Sequence, residues 1–501
     1  MRSIILNYDR QVTRILEILP PTISLLLLSF PFWGTFFVPT IVAYFVILFD
    51  VYFVYKAATL GINAVRSYRQ IQKVSKFDWL GRLNTDHKTE LSKTHHIVFI
   101  PTYKEPGDIL QRTLSFIKEA EIPKQSIDIV LAFEEREQEA KSKEAELRKE
   151  FESTFANIWT TYHPLEEGEI AGKSSNLAHS AKEIKKIIEQ KNYEKDHILV
   201  TVCDADVCLH PKYFALLTYK FLNNPNRYLR FFQGALVFYN NIWRIPLPAR
   251  VVNTIYSILQ VADLQRPKSS FNYSTYSLSW RLLEGSGFWD IDVISEDWHL
   301  FFKTFFANQG LVDLECLFLP LYADAAEGKS YFETLKMQYV QNRRWAWGIT
   351  DISYVIKRFI LHKGKLNLVN FLFRFSRALE QHLLWPVNWF VLTLGATVPP
   401  LISKSFRHTT LGYNLPKIAG LILTLSTVFL VFVIVVDFLL KPPRPKEFKK
   451  HLLPLNIIQY LLMPITSLFF NALPGMDAHT RLILGKRLDY KVTEKFVKKN
   501  P

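Results

Sequence analysis

The chain has 501 residues, nearly half of them hydrophobic, a formal net charge of +15 and only three cysteines. That length suits one large catalytic domain with membrane segments, or about three soluble domains, and a mean hydropathy near zero suits apolar blocks joined to a soluble domain. Cys203, Cys208 and Cys316 lack zinc-ligand spacing and cannot form a disulfide framework, so a reducing compartment is expected, and no nucleic-acid motif accompanies the positive charge.

At the start of the chain, Pro20 and Pro21 interrupt the apolar run and no small-residue cleavage site follows, so this segment is expected to stay as an anchor. Ile18 to Phe49 carries no charge and is too long for one upright helix, which needs ~20 residues. A turn at Pro31-Phe32-Trp33-Gly34 predicts a hairpin whose second helix continues past Asp50 to Leu60. The basic stretch through Lys56, Arg66, Arg69, Lys73, Lys76 and Arg82 marks the cytoplasmic side, as does the segment from Lys441 to Lys450.

From His96 to Thr350, short apolar runs alternate with helical stretches. Strands are expected at His96–Pro101, Ser126–Phe133, Ile158–Tyr162 and His197–Cys203, with a helix over Gly172–Gln190. The alternation implies a mostly parallel sheet with helices on both faces, and such sheets bind ligands at the carboxyl ends of their strands. Three uncharged C-terminal blocks follow, at Leu383–Ser403, Ile418–Val436 and Leu452–Met476. Pro454, Pro464 and Pro474 divide the last into pieces too short to span, predicting an interfacial or re-entrant pair of short helices.

Three clusters carry chemistry. Asp204-Ala205-Asp206 ends an apolar strand, where two carboxylates can share a divalent cation that neutralises a diphosphate; a helix cap and turn is the plainer reading. Ser295-Glu296-Asp297-Trp298 opens an apolar helix: a carboxylate there can take a proton from an attacking hydroxyl, or simply favour the helix dipole behind a Ser295 cap. Gln341-Asn342-Arg343-Arg344-Trp345 offers a cation for a departing diphosphate and a flat face for a sugar ring, or alternatively a juxtamembrane basic-aromatic belt.

The order of these clusters resembles that of the family 2 glycosyltransferases, which include cellulose, hyaluronan and plant glucomannan synthases. Pro101-Thr102-Tyr103-Lys104-Glu105-Pro106 looks like their first nucleotide-contacting loop, and Glu134 stands where an aspartate usually faces the base. Ala171-Gly172-Lys173-Ser174-Ser175-Asn176 is similar to the donor loop, in a different order. Gln233-Gly234 with Phe238-Tyr239-Asn240 resembles the acceptor-flanking strand, and Gly285-Ser286-Gly287 the loop before the catalytic acid. Tyr490-Lys491-Val492-Thr493-Glu494-Lys495 resembles the gating loop of the processive synthases, with tyrosine for phenylalanine.

The resemblance implies an α/β fold of GT-A type, a Rossmann-like mixed sheet flanked by N- and C-terminal transmembrane helices. It implies Asp297 as general base beside Glu296. Thr102, Tyr103, Glu105, Glu134, Lys173, Asp204, Arg344 and Thr493 would hold the donor, and Gln341, Trp345, Gly285 and Ser286 the acceptor. Asp204 and Asp206 would hold Mg²⁺ or Mn²⁺. The expected division is a membrane hairpin (1–62), a basic cytoplasmic linker (63–95), the catalytic domain (96–350), an interfacial helix (351–380), a C-terminal membrane region (381–476) and a cytoplasmic tail (477–501). Together these predict an inverting transferase in a prokaryotic plasma membrane, its catalytic domain cytoplasmic. It would move a sugar from a nucleotide sugar to a glycan or lipid-linked acceptor, among membrane lipids and without nucleic acid. A polyprenyl-phosphate monosaccharide transferase is the nearer alternative, and a non-enzymatic transporter or scaffold the more distant one.

Overall fold

The computed structural model describes residues 7–444, 458–486 and 488. At its centre is a seven-stranded mixed sheet in the order β3-β2-β1-β4-β6-β5-β7. Strands β1 (His95–Thr102), β2 (Ile127–Glu134), β3 (Asn157–His163) and β4 (Ile198–Val202) are parallel and fall where sequence places them. β1, β2 and β4 are buried along almost their whole length, as near-continuous apolar strands covered on both faces should be. The second half of the sheet is mixed: β6 (Tyr276–Ser279) runs antiparallel to β4 and to β5 (Arg230–Val237), and β7 (Asp313–Tyr322) lies parallel to β5. Gly234 marks a register shift between β5 and β7, and a Cβ there would lie 2.9 Å from the Leu319 carbonyl. The strands pass that close only because position 234 has no side chain.

Among the described residues, three helices are long and apolar enough to cross a membrane: Asp9–Phe36, which contains α1 (Asp9–Trp33), then α2 (Pro39–Lys76), and α8 (Thr410–Leu440). The break between the two helices falls at Gly34–Phe36, later than the Pro-Phe-Trp-Gly signal predicts, because Pro31, Phe32 and Trp33 stay in α1. α2 is longer than expected. Its basic half, through Arg66, Arg69 and Lys73, continues the same helix to Lys76, so the boundary drawn at 62–63 falls inside one element. α2 packs along α8, and a Cβ on Gly61 would stand 2.9 Å from the Phe429 carbonyl. Residues 351–380 form no single helix: Thr350–Leu361 ends before Gly364, and α7 (Leu368–Leu394) begins afterwards.

Near the end of α8, buried Asp437 accepts hydrogen bonds from Tyr239 at 2.7 Å, Tyr460 at 2.5 Å and Lys441 at 2.6 Å. Satisfying that buried carboxylate locks the apolar helix to the loop after β5. Of the block around Pro464, residues 452–457 lie outside the described residues, and the rest does not divide at Pro464. Residues 459–483 form one run whose winding passes from 3₁₀ to α, to π and back to α. It is not among the span-capable helices.

Candidate functional site

The carboxyl ends of β1, β2 and β4 open onto a cavity of about 980 Å³ that continues between α2, α7 and α8. Twelve of the fifteen residues singled out from sequence line it, from Thr102, Tyr103, Glu105, Glu134 and Lys173 to Asp204, Asp206, Glu296, Asp297, Gln341, Arg344 and Trp345. Gly285 and Ser286 do not. They end the short helix Trp280–Gly285, and the Ser286 hydroxyl is spent on the Leu282 carbonyl at 2.7 Å. Thr493 lies outside the described residues.

The centre of the cavity is a charge cluster around Lys173, the first residue of helix α4 (Lys173–Gln190). Its ammonium lies 2.6 Å from Asp204, 2.7 Å from Glu296 and 2.7 Å from the Ser274 carbonyl. Burial works against the charged ammonium, yet the two carboxylates hold its pKa well above the ordinary lysine range. Burial raises Glu296 to about 7, with Lys173 opposing and Asp297 and Asp204 adding to the rise. Lys173 meets Glu296 at ion-pair distance without the alignment of a hydrogen bond.

Glu296 and Asp297 open α5 (Glu296–Ala307), but Ser295 makes no capping bond. Asp297 is instead held by the main chain: its two oxygens accept from Ser274 N at 3.0 Å and Trp298 N at 2.9 Å. Burial raises its pKa above the ordinary value, and those two N–H groups restrain the rise. Ser274 ties the cluster together. Its N–H reaches Asp297, its carbonyl Lys173 and its hydroxyl Asp204, from a backbone at φ 50°. A non-glycine residue held there is strained, and such strain persists where the surroundings over-determine it.

Asp206 lies deeper. One oxygen accepts from the Asp324 N–H at 3.1 Å, and Asp324 is gripped by Arg112 through two contacts of 2.9 Å. Two carboxylates at a strand end suit an ion that takes one or two protein carboxylates and completes its shell with phosphate oxygens. Asp204 already faces a cation, Lys173, so its position suits positive charge. Among the described residues no three acidic, histidine or cysteine side chains gather as a closed metal cage. The donor set therefore fits a Mg²⁺ or Mn²⁺ ion that arrives with a diphosphate.

On the far side, the β1 loop closes on Glu105, which accepts from the Thr102 hydroxyl at 3.0 Å and the Tyr103 N–H at 2.6 Å. The Arg136 guanidinium lies 4.4 Å from the Tyr103 ring centre and 3.3 Å from Glu134. Glu134 also meets His163 at 3.2 Å, so it is engaged by two neighbours.

The helix α6 (Tyr331–Ala346) divides the Gln-x-x-Arg-Trp cluster by its period. Gln341, Arg344 and Trp345, at i, i+3 and i+4, face the cavity. Asn342 and Arg343 face away: Asn342 donates to the Phe470 carbonyl and Arg343 to Asp477 at 2.8 Å. Pro474 has no N–H to offer the carbonyl four residues back, which is Phe470, and Asn342 supplies the missing donor. Trp345 packs between Phe238 and Tyr256, with ring centres 5.8 and 5.1 Å away.

Sequence reasoning missed Ser274, Arg136, Arg112 and Asp324. Asp324 had a readable signal, since it follows the apolar run of β7 as Asp204 follows β4.

Residues 199–440 match the family described as Glycosyl transferase family group 2, a range that includes Asp204, Asp206, Glu296, Asp297, Gln341, Arg344 and Trp345. Over that range, just under half of the chain, the protein is similar to the family 2 glycosyltransferases. The match makes the protein a transferase rather than a transporter or scaffold. No curated protein matches it. Among solved structures, the mannosyltransferase PcManGT from Pyrobaculum calidifontis, in complex with GDP-Man and Mn²⁺, is similar at 16% identity and a TM-score of 0.44. That likeness covers 78% of this chain and 99% of the other. Residues 1–349 of TarS from S. aureus are similar at 12% identity and a TM-score of 0.31, over 68% of this chain and 92% of that one. At such scores the likeness says nothing of this transferase's donor or metal.

Proposed function

We propose that the transferase is an inverting, membrane-embedded enzyme that moves a sugar from a nucleotide diphosphate sugar to a glycan or lipid-linked acceptor. The observation that carries this reading is the cluster in which Ser274 joins Asp297 to Asp204, bringing a base to the edge of a diphosphate site. Tyr103 and Arg136 offer a flat face and a cation for the nucleotide base. Asp204 and Asp206 would hold Mg²⁺ or Mn²⁺, which when bound supplies positive charge to the diphosphate.

Asp297 takes the proton from an acceptor hydroxyl, and the hydroxyl oxygen forms its bond to the anomeric carbon. The bond from that carbon to the diphosphate breaks, the leaving group keeps the electron pair, and the configuration inverts. Arg344 faces the departing charge and Trp345 offers its ring to the acceptor sugar. One catalytic carboxylate suffices, because no sugar–enzyme bond forms.

The apolar helices α1, α2 and α8 support a membrane location, and the basic second half of α2 supports a cytoplasmic catalytic domain in a prokaryotic plasma membrane. Incubation with a panel of nucleotide sugars in Mn²⁺, with nucleotide release and product anomer both read, tests the proposal. Release with inversion from one donor supports it; retention of configuration overturns it.

A further inference from the structure

A second cavity of about 530 Å³ lies between α2, α7 and the loop around Arg266. Tyr52, Lys56, Arg266, Arg377 and Glu380 line both cavities, so the smaller one is a side mouth of the larger. Its charge is unbalanced. Lys56 pairs with Glu380, and Arg377 grips Asp263 through contacts of 3.0 and 3.1 Å. Arg266 and Lys268 make no ion pair or side-chain hydrogen bond among the described residues. Lys56, Arg266, Lys268 and Arg377 against Asp263 and Glu380 leave two positive charges in excess, and Arg266 lies near enough to Lys56 for the two to repel.

The mouth also has a depth. Lys56 stands seventeen residues beyond Pro39 in one helix, about 26 Å at 1.5 Å per residue, which is close to the ~30 Å of a hydrocarbon layer. Below it one face of α2 is apolar and bare: Ile41 is 58% exposed, Tyr44 56% and Leu48 68%. Tyr55 and Phe373, 60% and 53% exposed, stand in the mouth itself. Excess cations at a bilayer boundary, above uncovered hydrocarbon side chains, suit an anion that carries its own apolar chain.

We propose that this side mouth binds the phosphate of an anionic lipid, with its chains lying on the exposed face of α2. The site stands independently of the transfer chemistry and opens directly onto the cavity where that chemistry is placed.

The full chain, purified in detergent, is offered phosphatidylglycerol or phosphatidylcholine of identical acyl chains, and retained lipid is read by native mass spectrometry. The wild type should prefer phosphatidylglycerol, and R266Q/K268Q should lose that preference at about fivefold per cation removed. K118Q/K186Q, which removes equal charge from the exposed catalytic surface, should keep it. Inorganic phosphate at equal concentration should not displace the lipid. The proposal fails if the wild type shows no preference, if R266Q/K268Q retains it, if K118Q/K186Q loses it equally, or if free phosphate displaces the lipid.

Discussion

The backbone N–H of Ser274 donates to Asp297 at 3.0 Å from a residue held at φ 50°. That bond comes from the main chain, so it survives a change of the Ser274 side chain, whereas the hydroxyl contact to Asp204 does not. Losing one such hydrogen bond costs on the order of 1 kcal/mol, or about fivefold. S274A should therefore weaken donor binding by about that factor and leave the Asp297-dependent step nearly unchanged. Donor Kd by calorimetry beside single-turnover rates separates the two effects. A larger loss in the chemical step than in donor binding would contradict this account of Ser274.

Glu296 titrates near 7 because burial disfavours its charged form. Below that pH it gains a proton, and Lys173 loses one of its two carboxylate partners. The kcat/KM profile should fall on its acid side near pH 7, and E296Q should flatten that limb while lowering the plateau. For stability the sign is opposite: a carboxyl whose folded pKa is raised contributes most below its unfolded value and loses that contribution as pH rises to about 7. E296Q should make the melting temperature less dependent on pH across that window. An unchanged acid limb in E296Q would remove Glu296 from the titration.

Lys173 has a side chain only 12% exposed between two carboxylates. Breaking a buried pair by removing one partner costs about 3–5 kcal/mol, because Asp204 and Glu296 would then face each other uncompensated. K173M should lower the melting temperature in metal-free buffer. Mn²⁺ should recover part of the loss by supplying Asp204 with another cation. A melting temperature equal to that of wild type would mean that the cluster is not energetically coupled.

Much of this site was legible because its chemistry sits where buried strands stop. Leu199-Val200-Thr201-Val202 reads as a covered parallel strand, so Asp204 and Asp206 stand out as acids at its end. β6 was not legible: its four residues alternate serine with tyrosine and leucine and lack a long apolar run. Ser274 was hidden for the same reason, since it precedes β6 and meets Asp297 only through the antiparallel insertion of that strand. The length of α2 was missed because charges at Arg66 and Arg69 end a membrane pattern without ending a helix. The turn at Gly285-Ser286 illustrates the reverse: a motif match placed it at the site, while its helix directs it elsewhere.

Asp206 accepts from the Asp324 main chain, so its carboxylate both shapes the loop and faces the cavity. D206N can keep the accepting oxygen while removing the charge. Its donor affinity should become insensitive to Mn²⁺, with the fold intact by circular dichroism. Donor binding that still strengthened with Mn²⁺ would move the ion away from Asp206.

The most direct measurement is on Asp297, proposed as the base. D297N keeps the shape and one accepting oxygen but cannot take the proton. Donor Kd should stay within a few-fold of wild type while transfer to acceptor falls by ~10²–10⁴. Transfer by D297N at a near-normal rate, with donor bound normally, would contradict the account.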